Sequence, residues 1–191
     1  MNFDEVLKKR RTIRCFTQEE VSREKLLMLI DAARLAPSGG NMQPLRYLII
    51  QDRKKAELVF GETAWAAFVK PGRTPEWGKN APLTFILVTA PADAGKIDYA
   101  NAGAAVENML LKAVDAGLGC CWLGAFDHKA VRKILDIPEN RDLLYLVAVG
   151  YPDEEPVMED IEGKSSTRYY LDDADVLHVP KYTVDSLADW V

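Results

Sequence analysis

Histidine and cysteine are scarce in this sequence, and the usual patterns of catalytic side chains are missing. There are only two histidines, His128 and His178, and three cysteines. Two of the cysteines, Cys120 and Cys121, are adjacent, which suits neither a disulfide framework nor the spacing of a zinc site. No G-x-S-x-G motif offers the nucleophile of an α/β-type serine hydrolase. Either side-chain chemistry is not central to this protein, or a bound cofactor carries the chemistry.

Long apolar runs and an excess of positive charge are also missing. No apolar stretch approaches the ~18–20 residues that a bilayer-spanning helix needs. The first residues read MNFDEVLKKRR, with early charge and no apolar h-region of a signal peptide. The net charge of -5 argues against a nucleic-acid-binding surface. These absences, with reduced thiols, favour a soluble cytoplasmic protein.

The length of 191 residues favours a single domain over residues 1–191, with a polar C-terminal arm from about residue 153. Apolar periodicity and capping residues alternate helices with four strands, which indicates an α/β or α+β sandwich. The arm adds β-like fragments and a final helix. The predicted helices are 2–9, 22–35, 53–60, 98–116 and 127–135, and the predicted strands are 46–51, 83–89, 118–124 and 143–149.

A cluster of positive charge lies at RRTIR, residues 10–14. If this stretch is extended, Arg10, Thr12 and Arg14 point to one side, because side chains alternate along a strand. Two guanidinium groups and a hydroxyl can then hold a phosphate without a metal. Spacing alone favours the alternative, a solvated basic patch at the end of a helix, where arginine suits the helix dipole.

Two glycine-containing segments could bring backbone N–H donors close to a flat ligand. The first is SGGN at 38–41, which is neither a Walker A loop nor a dinucleotide fingerprint. The second is LGAFD at 123–127, where a strand ends and a helix capped by aspartate begins. Taken singly, the first favours a helix-ending turn and the second a tight strand-to-helix connection. A flavin suits such sites, because the protein mainly binds and orients it.

Taken in order, four segments resemble the nitroreductase family of FMN-dependent oxidoreductases. They are RRTIRCF, with the family's Arg-x-Ser/Thr-x-Arg/Lys pattern, AARLAPSGGNMQPLRYLII, ENMLLKAVDAGLGCCWLGAFD, and VRKILDIPEN followed by LVAVGYP. They have the family's order and spacing and cover nearly the whole chain. The resemblance implies an α+β fold with a central, mostly antiparallel sheet covered by helices, in a homodimer that is domain-swapped at its termini and holds two flavin sites.

The resemblance also implies roles for individual residues. The FMN phosphate and ribityl chain would be bound by the first motif and by a lysine near the C-terminus. The loop at 35–44 would reach the flavin from the partner subunit, and the end of the third strand would lie near flavin N5. The implied cofactor-binding residues are Arg10, Arg11, Thr12, Arg14, Pro37, Ser38, Gly39, Asn41, Leu123, Gly124 and Lys181.

The sequence departs from the family pattern at several of these places. PSGG replaces PSS or PSA before the asparagine, and QPL replaces QPW. Members often carry Pro-Lys-Arg near the C-terminus, whereas here Tyr182 follows Lys181. Arg168 is therefore a second candidate for completing the phosphate site. An asparagine or lysine that some members use from the middle of the chain has no clear counterpart in the irregular segment 61–82.

That irregular segment carries three aromatic residues, Trp65, Phe68 and Trp77. Long loops in compact domains are often lids or binding loops, and the family often builds a wall over the exposed flavin face here. The three rings could stack on a flat substrate, although ordinary packing under a loop is an equal alternative.

The resemblance implies an oxidoreductase in which NADH or NADPH reduces FMN, and the flavin reduces a nitroaromatic, a quinone or a similar small acceptor. Flavin N5 would carry the chemistry, so we assign no catalytic side chain and no metal. One alternative is a side branch with other flavin chemistry, either dehalogenation or flavin fragmentation. Another is a non-catalytic flavin- or nucleotide-binding protein. The sequence does not choose between NADH and NADPH.

Overall fold

The computed structural model describes residues 1–69, 73–163 and 165–191. Helices and strands begin within a few residues of the predicted positions, because capping residues and apolar runs mark them. The helices are α1 Phe3–Lys9, α2 Arg23–Arg34, α3 Arg53–Gly61, α4 Lys96–Asp115 and α5 His128–Leu135. The strands are β1 Arg46–Ile50, β2 Thr84–Pro91, β3 Gly119–Leu123, β4 Arg141–Gly150, β5 Val157–Ile161, β6 Tyr170–Leu171 and β7 Leu177–Tyr182.

The central sheet has the order β1-β2-β4-β3, and every neighbouring pair is antiparallel. Both faces of this sheet are covered, which explains why β2 is buried at seven consecutive residues rather than at alternate ones. Phe85 and Leu87 of β2 pack with α3 and α5, whereas Ile86 and Val88 pack with α2 and α4. This arrangement confirms the predicted α+β sandwich with an antiparallel sheet.

Side-chain caps fix the start of the helices as the sequence predicts. Asn2 and Glu5 form a capping box on α1. Ser22 accepts a hydrogen bond from the Lys25 amide at the start of α2, and Asp127 accepts two from the first turn of α5. These bonds satisfy backbone N–H groups that a helix leaves unpaired at its N-terminus. No helix in the described ranges is both long and apolar enough to cross a membrane.

The C-terminal arm forms a second, three-stranded sheet, in which β7 pairs in parallel with β5 and antiparallel with β6. The predicted β-like fragments are therefore confirmed. The predicted final helix is wrong, because only the single 3-10 turn Val184–Ser186 forms there. In the irregular segment, residues 70–72 lie outside the described residues.

A histidine between two carboxylates joins the strands of this second sheet. His178 of β7 has Nδ1 2.5 Å from Glu159 Oε1 of β5 and Nε2 3.0 Å from Asp172 Oδ2. The ring stacks on Tyr170 of β6 at 4.9 Å, and the Tyr170 hydroxyl donates to Glu159. The hydrogen bond to Asp172, followed by the one to Glu159, raises the pKa of His178.

The stability that His178 contributes is expected to depend on pH. A pKa that is raised on folding gives stability that is fully present below the unfolded-state pKa of about 6.5 and is lost as pH rises through the folded-state value. The thermal midpoint of wild type should therefore exceed that of His178→Gln by more at pH 6 than at pH 9. Differential scanning fluorimetry measures the gap, with His128→Gln, on α5 outside the second sheet, as control. A gap that is equal at both pH values contradicts the prediction.

Candidate flavin site

The arginine-rich segment 10–14 is extended and lies along the free edge of β3. Thr12 forms a parallel bridge with Cys120, and the Ile13 amide donates to the Cys120 carbonyl over 2.9 Å. Burial alternates along the segment, since Arg11 and Ile13 are buried and the other three residues are partly exposed. Arg10, Thr12 and Arg14 therefore share the accessible side, as the extended interpretation predicts.

These residues line a cavity of about 140 Å³, here called the basic pocket. Its wall is completed from the C-terminal sheet by Lys181 of β7. Arg168, the alternative candidate, does not line it, because the Arg168 guanidinium lies 4.9 Å over the Phe68 ring. The residues that line the basic pocket are Arg10, Arg11, Thr12, Arg14, Tyr169, Val179 and Lys181.

The four cations of the basic pocket are not equally available to a ligand. Arg10 is paired with Glu107 of α4, with 3.2 Å between Nε and Oε1. The Arg14 guanidinium lies 4.8 Å over the Tyr169 ring. Neither Arg14 nor Lys181 forms an ion pair with a carboxylate in the described part of the chain. Arg14 and Lys181 therefore supply the least compensated positive charge.

Arg11, which the sequence groups with the phosphate ligands, has its guanidinium directed into the protein. Its terminal nitrogens donate to the carbonyls of Lys8 and Arg10 at the end of α1. Its Nε is buried without a hydrogen-bond partner among the described residues, and burial lowers the pKa of Arg11. This side chain caps α1, so its terminal donors are already used.

The end of β3 offers a backbone donor at the same edge of the sheet. Leu123 is buried, whereas Gly124 is exposed and its amide donates to no group in the described residues. Alternate residues of a strand direct their N–H and C=O groups to the same edge, so Gly124 faces the edge on which Cys120 meets the arginine-rich segment. Four residues of strand span about 13 Å. This edge of the sheet thus presents the basic pocket and, about 13 Å further along β3, the Gly124 N–H, which has no partner among the described residues.

The glycine-rich loop docks on α4 rather than leaving its first glycine amide free. Gly39 donates to Oδ1 of the buried Asn101 over 2.9 Å. A Cβ at position 39 would lie 2.9 Å from the end of the Ile97 side chain, so Ile97 would have to shift to accommodate it. Gly40 and Asn41 both have positive φ, at 56° and 55°. Within a single chain, the Gly39 amide is therefore already hydrogen-bonded and is not free to meet a ligand.

The loop and the basic pocket are separate within one chain. Pro37 and Ser38 line another cavity, of about 150 Å³, which shares no lining residue with the basic pocket. Asn41 is exposed, and its Oδ1 accepts a hydrogen bond from Gln43 Nε2. One chain therefore does not bring the predicted loop contacts and phosphate contacts together.

Core packing accounts for two of the three aromatic residues in the irregular segment. Trp65 is only 5% exposed, and its Nε1 donates to Thr63 Oγ1 over 2.6 Å. Trp77 is half-buried against Phe60, with the ring centroids 5.6 Å apart. Phe68, in contrast, is 53% exposed. Of the three rings, Phe68 is the one that can present a face to a ligand.

Several residues around the site carried no distinguishing signal in the sequence. Tyr169 lies 5.1 Å from Phe68 and connects it to Arg14, but it is one of two adjacent tyrosines in a polar arm. Glu154 accepts hydrogen bonds from the backbone amides of Arg14 and Cys15, but it is one of several acidic residues after GYP. No group of three or more metal-binding side chains is found among residues 1–69, 73–163 and 165–191.

Comparison with known proteins finds relatives that match most of the chain. A protein of Archaeoglobus fulgidus named "Putative NADH dehydrogenase/NAD(P)H nitroreductase" is 33% identical over 76% of this chain and 83% of its own length. The iodotyrosine deiodinase of Thermotoga neapolitana is 29% identical over 78% of this chain and 88% of its own.

Solved structures are similar to this chain as well. The crystal structure of a nitroreductase family protein from Clostridium novyi NT has a TM-score of 0.70 and 30% identity, covering 80% of this chain and 86% of that one. An FMN-dependent nitroreductase from Clostridium difficile has a TM-score of 0.66 and 27% identity, covering 80% and 88%. The sequence profile of the Nitroreductase family matches residues 7–151, and the chain belongs to the nitroreductase family.

Proposed function

We propose that this protein is a cytoplasmic FMN-dependent oxidoreductase that takes hydride from NADH or NADPH and reduces a nitroaromatic, a quinone or a similar small acceptor. The observation that carries the proposal is the basic pocket at the edge of β3, about 13 Å along the strand from the Gly124 amide, which has no partner among the described residues. The names of the similar proteins, which include an FMN-dependent nitroreductase and an NAD(P)H nitroreductase, support it.

The donor set of the basic pocket fits a flavin phosphate. A phosphate dianion favours charge-assisted hydrogen bonds, and Arg14 and Lys181 offer guanidinium and ammonium donors that have no carboxylate partner among the described residues. Thr12 adds a hydroxyl, and Arg10 adds a charge that Glu107 partly balances. The exposed Gly124 amide and the neighbouring Leu123 would orient the isoalloxazine ring.

When bound, FMN supplies the capacity to accept a hydride and to pass on its electrons. The protein's own contribution is binding and orientation, and we propose no general acid or base among its side chains. Burial raises the pKa of Cys15 to about 11 and that of Cys121 to about 12, so these thiols stay protonated near neutral pH. The proton that reduction of the acceptor requires would come from solvent or from a ribityl hydroxyl.

We further propose that the complete site forms in a homodimer. Pro37, Ser38 and Asn41 lie away from the basic pocket of their own chain, and a partner chain could bring a second copy of the loop to it. Exposed apolar side chains on and beside the loop support an interface there, since such patches often mark binding surfaces. They include Leu35 at 65%, Met42 at 77% and Ile97 at 58% exposure.

Phe68 is the candidate contact for a flat acceptor. Its ring is half exposed, with the Tyr169 ring 5.1 Å away and the Arg168 guanidinium 4.9 Å from its centroid. An aromatic acceptor could stack on this ring, and Arg168 could meet a negatively charged substituent. The second candidate function is reductive dehalogenation, which the similarity to an iodotyrosine deiodinase favours.

The test of the proposed function is a visible spectrum of purified protein followed by anaerobic stopped-flow reduction. We expect a bound-flavin spectrum that NADH or NADPH bleaches and that a nitroaromatic or quinone restores. Iodotyrosine as acceptor distinguishes the dehalogenation alternative. Bound flavin that neither nicotinamide bleaches would indicate a non-catalytic flavoprotein, and protein that binds no flavin would refute the proposal. Flavin release on dilution to monomer tests the shared site.

A further inference from the structure

A buried carboxylate lies behind the arginine-rich segment. The Glu154 side chain is only 5% exposed, although it follows the exposed turn at Pro152. Glu154 Oε1 accepts hydrogen bonds from two consecutive backbone amides, those of Arg14 and Cys15, the second over 3.0 Å. One carboxylate oxygen therefore holds the backbone at the position that sends the Arg14 side chain into the basic pocket.

The charge of Glu154 is balanced from a different part of the chain. Arg73 of the irregular segment, itself 8% exposed, places Nε 2.8 Å from Glu154 Oε2. The same guanidinium contacts Asp175, which lies between β6 and β7, with 3.0 Å between Nη1 and Oδ2. Burying an ion pair is costly, and a carboxylate without its partner would cost more. This ion-pair network therefore joins Arg73, Glu154 and Asp175, from three distant segments, behind the basic pocket.

The Glu154 side chain is oriented away from the basic pocket, so it is not a residue that would contact the phosphate directly. Glu154 does not line the basic pocket, and its two oxygens are directed at Arg73 and at the backbone of residues 14 and 15. On the neighbouring side, the Ile13 amide is held by the Cys120 carbonyl of β3. The backbone around Arg14 is thus fixed from both sides, by the strand edge and by the carboxylate.

We propose that Glu154, with Arg73 as its counter-ion, is a positioning residue for binding of the flavin phosphate. It acts by holding the Arg14 backbone, and it touches neither the cofactor nor the substrate. This inference rests on the proposed function, because it assigns the phosphate of FMN to the basic pocket. It predicts that Glu154 matters for a flavin that carries a phosphate and not for one that lacks it.

The test compares FMN with riboflavin, which has the same ring and ribityl chain without the phosphate. Apoprotein of wild type, Glu154→Gln and the matched control Glu155→Gln, an exposed neighbour, is titrated with each flavin by fluorescence quenching. Glutamine keeps one acceptor oxygen but not the charge that pairs with Arg73. We expect Glu154→Gln to weaken FMN binding by about tenfold, with riboflavin affinity unchanged and Glu155→Gln like wild type.

If Glu154→Gln is insoluble, the double variant Arg73→Met/Glu154→Gln removes both buried charges and is titrated in the same way. An equal loss of affinity for both flavins would indicate general damage to the fold and would overturn the inference. Unchanged FMN affinity would overturn it as well, while leaving the proposed function intact. Wild-type protein that bound neither flavin would refute the proposed function, and the inference with it.

Discussion

Replacing Arg14 with alanine is expected to weaken FMN binding by roughly ten- to a hundredfold. A charge-assisted hydrogen bond is worth about 1.5–3 kcal/mol, and each 1.4 kcal/mol changes a dissociation constant tenfold. The Arg14 guanidinium lines the basic pocket without a carboxylate partner in the described chain, so its loss is not offset by release of a competing ion pair. Isothermal titration of apoprotein with FMN measures the effect.

Arg168→Ala is the matched control for Arg14→Ala. Both guanidinium groups stack on aromatic rings, but Arg168 lies over Phe68 outside the basic pocket. Removing the Arg168 side chain should change FMN affinity by no more than about twofold, a smaller free-energy change than the loss of one hydrogen bond would cause. Lys181→Ala, inside the pocket, should resemble Arg14→Ala instead. If Arg168→Ala were the more damaging variant, the phosphate would have to lie elsewhere.

Adding one methyl group at Gly119 is expected to displace the arginine-rich segment. A Cβ on this residue of β3 would lie 2.6 Å from Ile13 Cγ1 and 2.9 Å from Ile13 Cβ, closer than packed atoms allow. Such overpacking costs about 1–3 kcal/mol. For a chain of this size, Gly119→Ala should lower the thermal midpoint of the apoprotein by about 2–12 °C. FMN affinity should fall with it, because Ile13 lies between Thr12 and Arg14.

Gly103→Ala provides the matched control for Gly119→Ala. Its Cβ would come no nearer than 3.7 Å to Trp122, an ordinary contact, and the residue lies inside α4. Alanine is preferred to glycine in a helix by about 1 kcal/mol, so the thermal midpoint should hold or rise. Scanning calorimetry with and without FMN compares the two variants. Equal midpoints for both would contradict the packing argument.

Local patterns predicted the fold and the arginine-rich segment well. Apolar runs and caps placed the helices and the four central strands, because those signals depend on neighbouring residues. The extended form of residues 10–14 followed from alternation, and the burial of Arg11 and Ile13 agrees with it. Alternation also places Arg11 on the buried side, but its hydrogen bonds to the carbonyls of Lys8 and Arg10 could not be predicted from the sequence.

Contacts between segments that are distant in the sequence could not be predicted from local patterns. Gly39 was predicted to bring the backbone close to a ligand, whereas in the fold its amide donates to Asn101, some sixty residues away, and the Ile97 side chain lies against its Cα. Trp65 lies in a long irregular segment of the kind that often forms a binding loop, yet its side chain is buried in the core. Arg73 and Glu154 meet across 81 positions, and nothing in either neighbourhood indicates the other.

The separation of the loop cavity from the basic pocket has a genetic consequence. In the proposed dimer, each flavin site takes its phosphate ligands from one chain and its loop from the other. Consider a cell that makes two alleles, one defective in the basic pocket and one defective in the loop. A mixed dimer then collects both defects in one site and leaves the second site whole. Two alleles that are each inactive alone would therefore complement one another.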